Sequence, residues 1–510
     1  MINSNKDSLL KSVTSVMVLV IGLKFIAFVK QAVVAAFLGA SLQTDAYFVA
    51  FGLIESLYMG FFKSISISII SVYTLVRINE NRENAEDLIS ALLELFLGAA
   101  IIFSIILFVF SKQFAFLLAP SYSNEGMLLV AFYLRLQSGL LVFMVFELIG
   151  GAVLDSHKKF IVGRIQSFFL SVSVILACFF LVKYLYVLSL IIAYYVSSIM
   201  VTILIIVSIK KYISFRFINP FQTPRVKEII RLAFPVMIGY SAISINHLVG
   251  RSIASSLGSG AVSSLYYSQV LDQFVTSIII VNVGNVMFSF FSNYNAENQI
   301  EVIETKLYNI LSILVIVLIP VSYITYKFSI DLVKIVYFRG DFTIEAVAYT
   351  AAALRGYALA FPFVAIRDIL TKSMYSFQDT MRPMRNVTIS LILGIIFSII
   401  FSKLFGIFGI TFGTGLSVVV GSILNLKSIY KHIPEFQLKR LLITGLKGII
   451  SIGVTTVLIR IIFRSSSYYK ENLLFLFGMV ATIYIFYFFV LFLLREQTIK
   501  DLFIWSNRRK

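Results

Sequence analysis

The sequence predicts an all-α polytopic membrane protein of about 14 transmembrane helices: two six-helix lobes in parallel pseudo-repeat plus two C-terminal helices. Three observations carry that reading. Hydrophobic residues make up 59% of the 510, only 13% are charged, and the mean hydropathy is +0.94. A soluble domain cannot hide that much apolar surface. The apolar residues fall into stretches long enough for a bilayer core of ~30 Å. The chain also matches itself, weakly but in order, at a shift of about 220 residues.

In order, the predicted spans are 12–38, 44–76, 87–117, 127–155, 160–182, 185–208, 229–256, 261–294, 306–338, 344–372, 385–405, 408–428, 441–463 and 472–494. Several exceed the minimum length, which tilt or extension beyond the hydrocarbon accommodates. The first span is lipid-like yet holds Lys24 near its middle and Lys30 further along. No small-residue cleavage site follows it, so it reads as a retained helix. The second opens after the turn Gly39-Ala40-Ser41-Leu42-Gln43-Thr44 and carries Asp45, Glu55 and Lys63. Arg135 and Glu147 lie in the fourth span, Arg251 in the seventh, Asp272 in the eighth and Arg355 in the tenth. No connection exceeds about 20 residues, which leaves no room for a soluble catalytic domain.

The internal match pairs Phe37-Leu38-Gly39-Ala40-Ser41, then Tyr47-Phe48, with Ser256-Leu257-Gly258-Ser259-Gly260, then Tyr266-Tyr267. Glu125 and Leu134-Arg135 pair with Glu345 and Leu354-Arg355, and Arg164 with Arg385. Six spans separate the copies, and an even number keeps their orientation, so the repeat axis runs along the membrane normal. The expected division is an N-lobe 1–210, a C-lobe 211–435, and 436–510 for the last two helices and a basic tail. Transporters of this build hold substrate at the lobe interface near the midplane and alternate access by rocking the lobes. Gly39, Gly258 and Gly260 fall at short turns, where positive φ or close packing is cheap for glycine.

The net charge of +18 does not point to nucleic acid. With a cytoplasmic N-terminus, roughly 27 Lys and Arg fall inside and about 7 outside, the positive-inside bias. Lys210 to Arg231 and the tail Arg508-Arg509-Lys510 supply much of it. Cys178 is alone, the three histidines are scattered, and no G-x-x-x-x-G-K-[ST] loop occurs, so no disulfide, metal centre or ATP site is expected.

The charges inside spans remain to be explained. A central cation costs roughly 2.5–3.5 kcal/mol on insertion scales, so such residues face protein or water. Lys24 and Lys30 stand some 120° apart around a helix, which lets both line a wide cavity. Each has a plainer reading: Lys30 snorkels to the interface, and Lys24 pairs with Asp45, Glu55 or Glu147. Asp45 suits the positive end of its own helix. Arg135 and Arg355 occupy equivalent repeat positions, which favours a structural clamp over substrate contact. Lysines in a dry cleft suit a phosphate-bearing ligand, because the point charge strengthens where water is scarce. A lipid headgroup crossing a membrane needs such a path.

The run Lys24-Phe25-Ile26-Ala27-Phe28-Val29-Lys30, then Phe37-Leu38-Gly39-Ala40, then Thr44-Asp45-Ala46-Tyr47-Phe48-Val49-Ala50-Phe51 resembles the opening of the MurJ/MviN family. That family comprises lipid II flippases of the multidrug/oligosaccharidyl-lipid/polysaccharide exporter superfamily. Arg251-Ser252-Ile253-Ala254-Ser255, Phe338-Arg339-Gly340-Asp341-Phe342-Thr343 and Gln378-Asp379-Thr380 continue the resemblance, which spans about residues 9–430. It implies that Lys24 and Lys30 stand at two arginines of a cationic cavity, and Asp45 at a functional acid. Departures occur at Ile54-Glu55-Ser56-Leu57-Tyr58-Met59-Gly60-Phe61-Phe62-Lys63, where an arginine pair is lost and a glutamate becomes Lys63. Val270 replaces another arginine, and Gly250 an acid before Arg251.

The expectation is a bacterial inner-membrane flippase, not an enzyme, with both termini cytoplasmic. It would move a polyprenyl-diphosphate-linked saccharide, lipid II or a related polysaccharide unit, from the inner to the outer leaflet. The candidate substrate-facing set is Lys24, Lys30, Asp45, Glu55, Lys63 and Arg251, followed by Arg135, Asp272 and Arg355. No cofactor is expected; any coupling would be to membrane potential or a monovalent cation. The partners are the lipid-linked saccharide and membrane lipids, with no nucleic acid. The alternative is a cation-coupled multidrug exporter of the same superfamily, which two central lysines disfavour and Glu55, Glu147 and Asp272 favour.

Overall fold

The computed structural model describes residues 22–159, 165–462 and 473–496, and every regular element among them is helical. Among the described residues, eight helices are long and apolar enough to cross a bilayer, or eleven when three bent pairs each count as one span. Residues 22–38, the shorter apolar helix Gln166–Phe180, and a break inside Met381–Ile429 bring the described spans to the fourteen expected. That break falls at Gly406, with φ +58° and ψ −136°, between the two spans predicted there. The start of the first span (12–21), Arg164 with its match to Arg385, the 463–472 connection and the tail Arg508–Lys510 lie outside the described residues.

Packing divides the chain into two units: one of Met1–Val270 with Val333–Thr350, the other of Leu271–Leu332 with Ala351–Lys510. This grouping differs from the repeat boundary at 210/211. The seventh span and the start of the eighth pack with the first six, and buried polar contacts of Asp45 and Arg251 are among those that join them. The lobe division remains a statement about sequence duplication.

The first unit contains α1 (22–38), α2 (Leu42–Leu57), α3 (Lys63–Asn79), α4 (Arg82–Val109), α5 (Ser111–Leu118), α6 (Asn124–Ser138), α7 (Leu140–Ser156), α8 (Gln166–Phe180), α9 (Leu188–Ile209), α10 (Pro224–Ala254) and most of α11 (Ala261–Thr276). A capping box starts α2: Ser41 Oγ accepts from the Thr44 N–H at 3.3 Å, and Thr44 Oγ1 accepts from the Ser41 N–H at 2.8 Å. A π-turn, Tyr58–Phe62, joins α2 and α3 into one helix of 38 residues. Helix α2 packs on α6 and α10, α3 on α7 and α10, and α9 on α7 and α8. At one end of this bundle, Gly39 and Gly340, both at φ +58°, let two turns meet. A Cβ on Gly39 would overlap the Asp341 carbonyl, and one on Gly340 the Ala36 carbonyl. The Asp341 N–H donates to Ala36 O at 2.8 Å across that approach.

In the second unit, the end of α11 passes through a second π-turn, Ser277–Val281, into α12 (Asn282–Ala296). Then follow α13 (Ile300–Lys327), the start of α14 (Ser329–Tyr337), the end of α15 (Ile344–Ala358), α16 (Phe361–Ser376), α17 (Met381–Ile429), α18 (Leu438–Ile462) and α19 (Leu473–Leu493). Phe291, Leu307, Leu311, Ile369, Met374 and Tyr487 lie in its buried core.

The duplication is visible in local structure. The two π-turns are 219 residues apart. The bent pairs Asn124–Ser138 with Leu140–Ser156 and Ile344–Ala358 with Phe361–Ser376 break by 42° and 49°. Lys158 and Gln378, 220 residues apart, take φ +60° and +61°. The three predicted turn glycines have the positive φ expected: +58° at Gly39, +114° at Gly258 and +84° at Gly260.

Candidate functional site

Arg251 of α10 is the centre of the polar cluster in the first unit. It is 4% exposed, inside a span, so its charge must be met by protein. Its guanidinium donates to Glu55 Oε2 of α2 at 3.1 Å and to the Phe48 carbonyl at 3.2 Å. Its carbon lies 5.4 Å over the Tyr266 ring, which itself stacks on Phe48 at 4.2 Å. Gly52 makes room for it, since a Cβ there would overlap the guanidinium. Beside it, the Gln269 amide bonds the His247 ring at 2.8 Å.

Lys24, Lys30 and Lys63 of the same unit have no carboxylate partner among the described residues. Lys30 of α1 feels the charge of Glu55 but is not within 4.0 Å of a carboxylate among the described residues. Lys24 and Lys63 likewise form no ion pair among the described residues, so the pairing of Lys24 with Asp45, Glu55 or Glu147 is not seen. Lys24 is partly exposed, and Lys63, directly after the π-turn, is exposed. Glu147 is instead engaged by the Gln166 amide.

Asp45 stands in the first turn of α2, at the positive end of its own helix as expected, and does more besides. Its carboxylate is fully buried and serves the start of a different helix from its own. Oδ2 accepts the Gly260 N–H at 2.7 Å, Oδ1 accepts the Ser263 N–H at 2.7 Å and the Ser263 hydroxyl, and Tyr122 donates at 3.4 Å. It therefore caps α11 while sitting in the first turn of α2, where both helix dipoles favour an anion. With its oxygens occupied, it has little left for a ligand.

Arg135 and Arg355, at equivalent repeat positions, make equivalent contacts. Arg135 donates to Ser111 Oγ at 2.7 Å, and Arg355 to Ser329 Oγ at 2.7 Å. Asp272 belongs to the second unit, in the field of Arg367. The structure brings Glu55 and Arg251 together, with Lys30 in the field of Glu55; Asp45 and Arg135 make hydrogen bonds of their own in the first unit, and Arg355 and Asp272 belong to the second.

Three charges of α16 had escaped the sequence reading. Arg367 pairs with Asp368 at 2.9 Å, and Lys372 donates to the Val281 carbonyl of the second π-turn at 3.3 Å and to Asn285 Oδ1 at 2.9 Å. Their i, i+1, i+5 spacing inside a predicted span was the available signal.

A family model described as lipid II flippase MurJ matches residues 34–484. The chain belongs to the lipid II flippase MurJ family. A probable lipid II flippase MurJ of Buchnera aphidicola from Acyrthosiphon pisum is 24% identical over 445 residues, covering 83% of this chain and 84% of the relative. The lipid II flippase MurJ of Burkholderia cenocepacia is 22% identical over 416 residues, covering 79% and 80%. A solved lipid II flippase MurJ in an inward closed conformation superposes with a TM-score of 0.79 at 21% identity, covering 94% of this chain and 98% of that one. An inward-facing multidrug MATE transporter of the MOP superfamily gives 0.69 at 14% identity, covering 81% and 95%. These likenesses place the fold within the MurJ and MATE group. The chain is accordingly a multi-pass protein of the bacterial inner membrane.

Proposed function

We propose that this chain moves a polyprenyl-diphosphate-linked saccharide, lipid II in the first instance, from the inner to the outer leaflet. Membership of the MurJ family supports the substrate class. The observation that carries the chemistry is Lys24, Lys30 and Lys63 standing without ion-pair partners among the described residues, Lys30 in the field of a Glu55 that Arg251 already neutralises. Unpaired cations inside spans await an anion, and a diphosphate supplies one. Asp45, Arg135 and Arg355 hold the framework rather than the ligand on this reading. The duplicated helices supply two lobes, 1–210 and 211–435, whose rocking would expose the cations to each leaflet in turn. The termini are placed in the cytoplasm by the positive-inside bias. An anion leaving a negative interior gains roughly 2.3 kcal/mol per charge per 100 mV, so the membrane potential would help drive export, alone or with a coupled monovalent cation.

The test is complementation. A bacterial host depleted of its lipid II flippase, expressing this chain, is expected to survive. Death of the host with normal membrane expression would exclude lipid II and leave another lipid-linked saccharide.

A further inference from the structure

The two repeats end alike at the connection after α7 and its counterpart after α16, but with opposite charge. In the first copy, His157 stacks on Tyr212 at 3.9 Å and 17°; in the second, Phe377 stacks on His432 at 4.9 Å and 4°. Both ring positions are 220 residues apart, and the residues that follow, Lys158 and Gln378, share the same positive φ. The next position differs in sign. In the second copy it is Asp379, which accepts from His432 Nε2 at 2.8 Å and from Arg382, closing the turn around an internal anion. In the first copy it is Lys159.

Among the described residues, no carboxylate forms an ion pair with Lys159. Arg77 donates to His157 Nδ1 at 2.8 Å, so the ring is neutral and its Nε2–H donates to the Tyr73 hydroxyl at 3.1 Å. Lys211 lies 5.0 Å over the Tyr212 ring. Arg77, Lys158, Lys159, Lys210 and Lys211 form no ion pair among the described residues, and the four lysines are exposed. The acids nearby are committed: Glu80 to Arg225, Glu83 and Asp87 to Arg216, and Glu86 to Arg82. Asp155, on the last turn of α7, adds a single carboxylate with contacts of its own. Lys210 and Lys211 directly follow the apolar span α9, which sets the cluster at headgroup level.

We infer that the Arg77, Lys158, Lys159, Lys210 and Lys211 cluster is a docking site for the phosphate of an anionic phospholipid, which supplies the anion that Asp379 supplies in the second copy. The inference goes beyond the transported substrate; only the assignment to the inner leaflet rests on the orientation proposed above. Phosphate oxygens accept from several ammonium groups at once, and the lipid's acyl chains lie along the apolar faces of α3 and α9.

The test is lipid binding to the purified full chain, read by native mass spectrometry, so it does not depend on transport. Phosphatidylglycerol is expected to bind tighter than phosphatidylcholine by about tenfold or more. The triple variant Lys158→Gln, Lys159→Gln, Lys211→Gln is expected to lose that preference, while Lys427→Gln, Lys431→Gln, Lys439→Gln in the second copy keeps it. Lys159→Asp is expected to place an internal carboxylate among the remaining lysines, abolishing the preference without lowering the melting temperature. Equal loss in both triple variants, or no preference in the wild type, overturns the inference. Displacement of the lipid by inorganic phosphate would show a free-anion site instead and overturn the assignment to lipid.

Discussion

Asp45 and Ser263 lie 218 residues apart in sequence and are joined by two hydrogen bonds, from the Ser263 N–H and from its hydroxyl to one carboxylate oxygen. The other oxygen takes the Gly260 N–H, so one side chain on α2 finishes the start of α11. Removing it strands two buried backbone donors. Asp45→Ala is expected to destabilise the protein by about 2–6 kcal/mol, at roughly 1–3 kcal/mol per orphaned donor. Asp45→Asn keeps one acceptor and is expected to lose less. Thermal unfolding of the detergent-solubilised protein checks the order; equal melting temperatures for wild type and Asp45→Ala would defeat the capping account.

Lys24 belongs to the opposite category, a charge with no structural partner among the described residues. Lys24→Ala is expected to abolish complementation while leaving expression and melting temperature near wild type. Lys24→Arg is expected to retain function, since the charge rather than a fixed geometry is used. A fully active Lys24→Ala would remove the residue from the substrate path.

The repeat clamp predicts matched effects. Arg135→Gln and Arg355→Gln each remove a charged donor from a serine at 2.7 Å. Each is expected to cost about 1.5–3 kcal/mol of stability, with transport falling only as stability falls. Transport lost from a variant that melts normally would contradict the structural role.

Much of this architecture was legible in the sequence because bilayer thickness forces long apolar runs and duplication forces recurrence. The break at Gly406, the turn glycines and the Arg135/Arg355 equivalence could all be read that way. Asp45 was harder. Its position at a helix start was clear, but the helix it caps comes from 218 residues away, and helix propensity carries no such pairing. Gly52 was invisible for the same reason: it looks like an ordinary membrane glycine until Arg251 is seen to occupy its missing side chain. The packing units group residues by contact and the repeat groups them by sequence, so the two divisions need not coincide.

Gly52 therefore carries its own prediction. Gly52→Ala places a methyl where the Arg251 guanidinium lies and must displace it from Glu55. The expected destabilisation is about 1–3 kcal/mol, as for overpacking elsewhere. Once Glu55→Gln has already weakened the pair, the added effect of Gly52→Ala on stability should shrink, because both changes act on one contact. Strict additivity in the double variant would show that Gly52 acts on something other than the pair.

The ring stack at the end of α7 predicts a pH dependence. Burial, then the charges of Arg77 and Lys211, hold the His157 imidazole below its ordinary range. The unfolded chain therefore binds the proton more readily than the folded one. The stability His157 contributes is fully present above about pH 6.5, the ordinary histidine value, and is lost as pH falls from there towards the folded value. Asp379 is also partly buried, but hydrogen bonds from His432 and Arg382 hold its carboxyl below the usual range, so it titrates outside this window. In His157→Gln no imidazole is left to protonate, and the melting temperature should fall less steeply between about pH 6.5 and 5 than in the wild type. Melting curves across that range decide the matter: parallel slopes would mean that His157 does not set the acid sensitivity of this end of the bundle.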